Sequence, residues 1–162
     1  MTNLKKEEIK VIAELPYNWE KIKDKTVLIS GGTGFIGTAF IDIIKRRNQK
    51  YGENTKVISL SRRGGKSSED LECIKANVEQ PVQYDGKIDY IIHLASNTHP
   101  KQYAEDPVGT IMTNICGCDN LLKLAVEKKA RFLLASSVEI YGQGTEVPMD
   151  EKYCGYIDCN LA

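Results

Sequence analysis

The sequence predicts an α/β fold, a Rossmann-like doubly wound parallel sheet with strand order 3-2-1-4-5. Three observations support this fold. Five short apolar runs, rich in β-branched residues, have the length of buried parallel strands. A glycine-rich segment, residues 31–37, joins the first run to a stretch with helical spacing of apolar residues. A second helical stretch separates the last two runs, so the predicted order of elements is β-α-β-β-β-α-β.

A leader helix is predicted before the sheet. Its apolar side chains, at loose helical spacing and ended by a proline, are Leu4, Ile9, Ile12 and Leu15. We assign residues 1–25 to this helix and a linker, residues 26–142 to the sheet domain, and residues 143–162 to an extended tail.

The strands are bounded by turn residues. The first covers residues 26–30, and after a helix around residues 39–47 the second covers residues 56–61. The third, residues 71–76, follows a Gly/Ser-rich linker, so its crossover lacks a covering helix. The fourth and fifth, residues 88–96 and 131–137, flank a long helix that begins at Asp106. The predicted apolar side of that helix consists of Ile111, Ile115, Leu121, Leu122, Leu124, Ala125 and Val126.

The glycine-rich segment fits a dinucleotide-binding turn. Gly32, Gly34 and Gly37 match the motif G-x-G-x-x-G. Gly31, Gly34 and Gly37 match an overlapping motif, G-x-x-G-x-x-G. The early glycines allow positive φ, Gly34 lets a phosphate approach, and Gly37 lets helix and strand pack closely. The N–H groups that begin the helix then face the phosphates. The cofactor-binding residues predicted here are Gly31, Gly32, Thr33, Gly34, Phe35, Ile36 and Gly37.

The end of the second strand bears on the choice of cofactor. An acid there hydrogen-bonds the 2′-hydroxyl of NAD, whereas arginine accommodates the 2′-phosphate of NADP. The sequence reads Ser61-Arg62-Arg63, with no acid. We therefore predict NAD or NADP as cofactor, bound in part by Ser61 and Arg62, with Arg62 favouring NADP. The alternative is that the two arginines simply solvate a loop.

Residues beyond the other strands are further candidates, because ligands of open α/β sheets bind at the carboxyl ends of strands. Asn77 has two interpretations, contact with the adenine edge or formation of a turn. Asn114 interrupts the apolar side of the long helix, and a buried amide must find partners. His93 has apolar neighbours and is interpreted as a core histidine. The remaining cofactor-binding residues predicted are Asn77, Val78, Leu94, Ala95, Ser96 and Asn114.

Composition argues against several classes of partner. Lysine plus arginine and aspartate plus glutamate both total 22, so net charge favours neither nucleic acid nor an anionic membrane. No apolar run approaches the roughly 18 residues of a membrane span, and the charged N-terminus lacks a signal-peptide core, so we expect a cytoplasmic protein. The five cysteines lack metal-ligand spacing and indicate reduced thiols rather than a metal site.

Four segments in fixed order carry a family resemblance. They are the glycine segment, residues 91–95 (Ile-Ile-His-Leu-Ala), Asn114, and residues 136–142 (Ser-Ser-Val-Glu-Ile-Tyr-Gly). Over residues 26–142 the chain resembles the extended short-chain dehydrogenases, specifically the NAD-dependent epimerase/dehydratase family acting on nucleotide sugars. The resemblance implies a nicotinamide cofactor and a nucleotide-sugar substrate. It also implies hydride removal at sugar C4, then epimerisation or elimination, and return of the hydride.

The resemblance implies roles for two residues. Ser137 matches the family hydroxyl that hydrogen-bonds the 4-position of the sugar. Glu139 matches the acid of members that eliminate water or lose a carboxylate, since a ketone at C4 acidifies C5 and a carboxylate can move that proton. Ser137 and Glu139 are therefore the predicted catalytic residues, with a plain surface charge as the alternative for Glu139.

The family's Tyr-x-x-x-Lys pair is not found after the fifth strand. The residues four positions after Tyr141, Tyr153 and Tyr156 are Thr145, Ile157 and Asn160. We therefore expect an N-terminal part of a longer enzyme, lacking the last strands and the sugar-binding half, which binds cofactor without turnover. Uncovered apolar surface would favour self-association. Two alternatives stay open, an NAD(P)-dependent carbonyl reductase and a non-catalytic NADP-binding sensor or scaffold.

Overall fold

The fold is a parallel sheet with helices on both faces. A computed structural model describes residues 3–97, 100–144, 148–153 and 155, without the side chains of residues 3–5 and 100. The strands of the described residues are β1 (Thr26–Ser30), β2 (Lys56–Ser61), β3 (Leu71–Lys75), β4 (Tyr90–His93) and β5 (Arg131–Leu134). They form one sheet in the order β3-β2-β1-β4-β5. This confirms the predicted fold class and strand order.

The helices are α1 (Asn3–Glu14), α2 (Phe35–Tyr51), α3 (Pro100–Glu105) and α4 (Pro107–Lys128), with 3-10 turns at Trp19–Lys21 and Val138–Tyr141. The crossover from β2 to β3, residues 62–70, contains no helix, as predicted. The short helix α3 was not predicted, because residues 98–106 show no clear apolar period. The third, fourth and fifth strands are shorter than predicted.

The register brings the carboxyl ends of three strands together. Every pair is parallel, and Ser30, the last residue of β1, lies opposite Leu60 on β2 and His93 on β4. The backbone continues this alignment, because the Gly31 N–H donates to the Leu60 carbonyl at 2.9 Å. The turns that follow β1, β2 and β4 therefore meet at one edge of the sheet.

The core has two layers because successive strand residues face opposite sides of the sheet. On one face Leu28, Ile58 and Ile91 pack against Leu121 and Leu124 of α4. On the other face the buried cluster consists of Val27, Ile29, Ile41, Ile44, Val57 and Leu71, with Ile41 and Ile44 supplied by α2. The two helices thus cover opposite faces, as a doubly wound fold requires.

The predicted apolar side of α4 is partly wrong. Leu121, Leu124 and Ala125 are buried as expected. Exposed side chains that the prediction placed in the core are Ile111, Ile115, Leu122 and Val126. The helix carries two apolar stripes, and helical periodicity cannot tell which one faces the sheet. Close packing decides it, since a Cβ on Gly117 would lie 2.8 Å from the Val78 side chain.

The leader helix α1 docks on α2 through fewer apolar residues than its sequence predicts. Ile9 and Ala13 are buried against Ile43, with Trp19 packed beside them. Of the predicted stripe, Ile9 is buried and Ile12 and Leu15 are exposed, while the Leu4 side chain lies outside the described residues.

A buried ion pair holds this N-terminal segment in place. The Arg47 guanidinium pairs with both carboxylate oxygens of Glu53 and donates to the Ala13 carbonyl. Its carbon Cζ lies 4.4 Å from the Trp19 ring centroid and 4.6 Å from that of Tyr51. Arg47 and Glu53 are 8% and 4% exposed, so each charge depends on the other for compensation.

We predict that Arg47→Met destabilises the fold by about 3–5 kcal/mol, because it leaves the Glu53 carboxylate buried and unpaired. The double variant Arg47→Met/Glu53→Met should recover most of that loss, since it removes both charges. Urea unfolding followed by circular dichroism measures both effects. Arg46→Met is the control, because that half-exposed arginine lies 4.0 Å from Glu14 and should matter by less than about 1 kcal/mol. A loss no larger for Arg47→Met than for Arg46→Met would contradict the assignment.

Candidate functional site

A cleft of about 1350 Å³ opens at the carboxyl edge of the sheet. Its lining comes from the turns after β1, β2 and β4, the residues after β3 and β5, and one side of α4. Predicted site residues that line it are Gly31, Thr33, Gly34, Phe35, Ile36, Gly37, Ser61, Arg62, Asn77, Val78, Leu94, Ala95, Ser96, Asn114 and Ser137. Gly32 and Glu139 are not among the lining residues.

The turn after β1 is built so that α2 can approach it very closely. Gly31 has φ of +72°, a conformation that side chains disfavour. A Cβ on Gly37 would lie 2.4 Å from the Gly31 carbonyl oxygen and 2.7 Å from the Gly32 Cα. Gly37 therefore serves close packing, as predicted, although the helix packs against the turn itself.

Gly32 has a different role from the one expected. It is not among the described residues with positive φ, so the prediction of a left-handed backbone fails there. A Cβ on Gly32 would lie 2.2 Å from the Ser59 Oγ. Its small size lets the turn lie against β2, on the side of the turn away from the cleft.

The first turn of α2 offers uncapped donors to the cleft. Gly34 is the N-cap residue, and no side chain accepts from the N–H groups that begin the helix. The exposed Phe35 and Ile36 line the cleft beside these groups. Because early helix N–H groups lack intrahelical acceptors, this end of α2 can bind an anion.

Two arginines after β2 reach across the mouth of the cleft. One Arg62 nitrogen lies 3.3 Å from the Asn97 Oδ1, on the far side of β1. One Arg63 nitrogen lies 3.4 Å from both the carbonyl and the hydroxyl oxygen of Thr33 in the glycine turn. Both arginines are exposed, and these hydrogen bonds to described residues are long, so a stronger acceptor can replace the partners.

The segment after β3 is held by α4. The Asn77 Oδ1 accepts the Glu79 N–H at 3.2 Å, which is the turn-forming interpretation of this residue. The Asn120 side chain donates to the Val78 carbonyl at 2.8 Å, and the Thr113 hydroxyl donates to Glu79 at 2.5 Å. Asn77 and Val78 therefore line the cleft as a fixed wall.

Asn114 is exposed on the cleft rather than buried, which corrects the sequence-based interpretation. Its Oδ1 accepts the Ser96 hydroxyl at 2.8 Å, so this pair links α4 to the end of β4. Both residues line the cleft, but the Thr113 side chain is buried against the segment after β3, whereas Asn114 is exposed.

The floor of the cleft contains His93, which is 3% exposed. Its Nδ1 lies 2.6 Å from the Ser30 Oγ, so it is a core histidine with a partner, as the sequence predicts. Burial lowers the pKa of His93 from its ordinary value of 6.5.

The two predicted catalytic residues differ in position. Ser137 lines the cleft and caps a 3-10 turn, where its Oγ accepts the Glu139 N–H at 3.3 Å. Glu139 belongs to that turn and is exposed. Several residues considered in the sequence lie outside the described part of the chain. They are His99 and, in the tail, Thr145, Cys154, Tyr156, Ile157, Cys159 and Asn160.

Several residues that line the cleft were not predicted from the sequence. Tyr103 belongs to α3, the helix without a sequence signal. Cys118 lies one helical turn after Asn114 and could have been found from that spacing. Among the described residues there is no cluster of three metal-ligating side chains, and no helix there has the length and hydropathy to cross a membrane.

Comparison with known proteins identifies the relatives of this chain. The model of the NAD dependent epimerase/dehydratase family matches residues 27–160. UDP-glucuronic acid decarboxylase 4 of Arabidopsis thaliana is 34% identical over 145 residues, covering 85% of this chain and 31% of the relative. UDP-glucuronic acid decarboxylase 1 of Xenopus tropicalis is 34% identical over 141 residues, covering 83% of this chain and 32% of the relative. The chain thus spans about a third of these curated relatives.

Solved structures share the fold. A UDP-galactose 4-epimerase superposes with a TM-score of 0.65 at 22% identity, over 82% of this chain and 45% of that one. The dTDP-glucose 4,6-dehydratase DesIV of Streptomyces venezuelae superposes with a TM-score of 0.64 at 21% identity, over 79% and 44%. At these identities the likeness concerns the fold alone, whereas the family follows from the family model. The chain belongs to the NAD-dependent epimerase/dehydratase family.

Proposed function

We propose that this chain is the NAD(P)-binding part of an enzyme that modifies nucleotide sugars. The observation that carries the proposal is the glycine turn at the floor of the cleft, where side chains are excluded and uncapped helix N–H groups point outward. That combination binds a pyrophosphate, because it brings donors close to an anion without steric hindrance.

The residues of the cleft fit a nicotinamide dinucleotide. The turn from Gly31 to Gly37 would hold the pyrophosphate, and Arg62 would face the adenosine ribose at the end of β2. Asn77 and Val78 form the wall where adenine would lie, and the rest of the cofactor would pass Leu94, Ala95, Ser96 and Asn114. When bound, the cofactor would accept a hydride from the sugar and return it.

The substrate class follows from the relatives and from Ser137. The curated relatives named above are UDP-glucuronic acid decarboxylases, so UDP-glucuronic acid is the first substrate to test. Ser137 lines the cleft, and its hydroxyl would hold the sugar at its 4-position. Glu139 lies two residues after Ser137 in the same 3-10 turn. It would move the proton at C5, which a C4 ketone acidifies.

NADP is the cofactor that the arginines favour. Arg62 and Arg63 both lie at the mouth of the cleft, and their hydrogen bonds to Asn97 and Thr33 are long. A 2′-phosphate would replace these neutral acceptors with a doubly charged one, which strengthens each hydrogen bond. No acid follows β2 to bind a 2′-hydroxyl.

We expect the chain to bind NADPH more tightly than NADH, and Arg62→Gln to weaken NADPH binding about tenfold while changing NADH binding less than about twofold. One charge-assisted hydrogen bond accounts for a change of that size. Titration of cofactor fluorescence measures it. Arg131→Gln is the control, because that exposed arginine begins β5 at the opposite edge of the sheet. Equal loss of both cofactors would assign Arg62 to the pyrophosphate instead of the ribose.

We expect this 162-residue chain to show no turnover of UDP-glucuronic acid with NAD or NADP, because none of the tyrosines after β5 has a lysine four residues later to form the family's proton-removing pair. Analysis of the nucleotide sugars by anion-exchange chromatography after long incubation measures this. Any conversion would overturn the expectation. A net change in reduced-cofactor absorbance would favour the carbonyl reductase alternative.

We further propose that the chain self-associates through an exposed apolar stripe of α4. The side chains of this stripe, at spacings of three, four and seven residues, are Val108, Ile111, Ile115, Leu122 and Val126, of which Ile115 and Leu122 also line the cleft. A continuous apolar face of this kind is rarely left to solvent.

Light scattering after size exclusion should therefore show a dimer or larger species, and Ile111→Lys/Val126→Lys, at two exposed positions outside the cleft lining, should shift the mass toward the monomer. Val11→Lys is the control, because Val11 is equally exposed but lies on α1. A monomer at high concentration in the unaltered chain would refute self-association.

A further inference from the structure

The Ser30 hydroxyl joins the ends of β1 and β4 under the glycine turn. Its Oγ accepts the Ala95 N–H at 3.2 Å and the Leu94 N–H at 3.1 Å, the latter shared with the Ser30 carbonyl. A hydroxyl oxygen has two lone pairs and one proton. With both lone pairs engaged by backbone donors, the Ser30 proton is available only for the His93 Nδ1, 2.6 Å away.

This hydrogen-bonding pattern determines the protonation state and the tautomer of His93. An Nδ1 that accepts from Ser30 carries no proton, so the imidazole is neutral and its proton is on Nε2. The Nε2 side faces α4, where it lies 3.6 Å from the Cβ position of Gly117. A protonated Nδ1 would need an acceptor, and the Ser30 oxygen could serve only by releasing a backbone N–H.

The same backbone supports the cofactor turn. A Cβ on Gly31 would lie 3.0 Å from the Leu94 carbonyl and the Ala95 nitrogen, so the turn rests directly on the segment that Ser30 holds. Ala95 and Gly31 both line the cleft. A shift of Leu94 and Ala95 would therefore move the floor on which the pyrophosphate is proposed to lie.

We propose that Ser30 and His93 form a positioning pair that holds the Gly31 turn and the Leu94–Ala95 backbone in the cofactor-binding geometry, and that it does so only while His93 is neutral. This inference rests on the proposed function of the cleft. It makes dinucleotide affinity depend on one buried proton, with full affinity above the pKa of His93 and a loss below it.

Among the described residues, the groups packed against His93 on β1 and β5 are uncharged. They are the Ser30 hydroxyl and the Phe132 ring, whose centroid is 6.2 Å away. The charged and titratable groups that line the cleft with His93 are Arg62, Arg63, Tyr103, Cys118 and Asp119, and Glu79 lies behind Thr113. Asp119 pairs with Lys123, Glu79 accepts from Thr113, and Arg62 lies near Asn97. The lowered pKa of His93 accordingly has burial as its cause.

The test is calorimetric titration with ADP-ribose from about pH 8 down to the lowest pH at which circular dichroism shows the chain folded, because its diphosphate stays ionised throughout and it lacks a 2′-phosphate. In the unaltered chain the affinity should fall as pH decreases, reaching about tenfold per pH unit below the His93 pKa. His93→Asn, which keeps an acceptor near the Nδ1 position but cannot be protonated, should bind with no such slope. His99→Gln removes the other histidine and should retain the slope.

A second measurement separates this inference from the proposed function. Two-bond 1H–15N correlation spectra of the chain without ligand, assigned with the two variants, should show His93 neutral with its proton on Nε2 at pH 7. A slope retained in His93→Asn, or a proton on Nδ1, would overturn the positioning pair. Failure to bind ADP-ribose at pH 8, with the expected tautomer present, would instead overturn the proposed cofactor site and with it the positioning role.

The stability of the fold should decrease with falling pH, in the same direction as the dinucleotide affinity. Because the folded-state pKa of His93 lies below its ordinary value of 6.5, the unfolded chain binds the proton more readily. The fold therefore loses stability as pH falls below about 6.5, and circular dichroism at each pH ensures that binding is measured on folded protein.

Discussion

The close approach of three backbone segments at the carboxyl edge of the sheet is the constraint on which the site depends. The first turn of α2, the turn after β1 and the backbone after β4 meet where Gly31 and Gly37 leave no room for a Cβ. That contact aims the helix N–H groups of α2 at the cleft, because the helix axis is fixed by how closely Gly37 meets Gly31. A side chain at either glycine would push the helix away from the strands that flank the cleft.

The opposite ends of the cleft are held by different interactions. At the end near β3, contacts from α4 to the segment after that strand build a wall of backbone and short polar side chains, with hydrogen bonds from Thr113 and Asn120. On the other side, Ser96 and Asn114 connect β4 to the same helix. Because α4 contributes to both sides, its burial against the sheet sets the width of the cleft as well as the stability of the core.

Charge is distributed in two distinct ways. Arg47 and Glu53 are buried, fully paired and remote from the cleft, and they attach a leader segment that precedes the first residue matched by the family model. Arg62 and Arg63 are exposed, loosely bonded and adjacent to the glycine turn. Buried paired arginines stabilise one arrangement, whereas exposed ones can exchange partners when an anion arrives. The same residue type therefore contributes to architecture at one place and to the proposed recognition at another.

The sequence by itself determined the strand order, the helix-free crossover and the position of the glycine turn, because these follow from apolar periods of neighbouring residues and from local turn chemistry. Most predicted site residues line the cleft for the same reason, since parallel strands end at one edge. Only the tertiary structure decided which stripe of α4 is buried, that Asn114 faces the cleft, that Gly32 packs on Ser59, and that Glu139 is not among the lining residues. It also placed the His93 Nδ1 within hydrogen-bond distance of Ser30, 63 residues away in the chain. Each of these depends on contacts between residues far apart in the chain, and a local pattern carries no information about them.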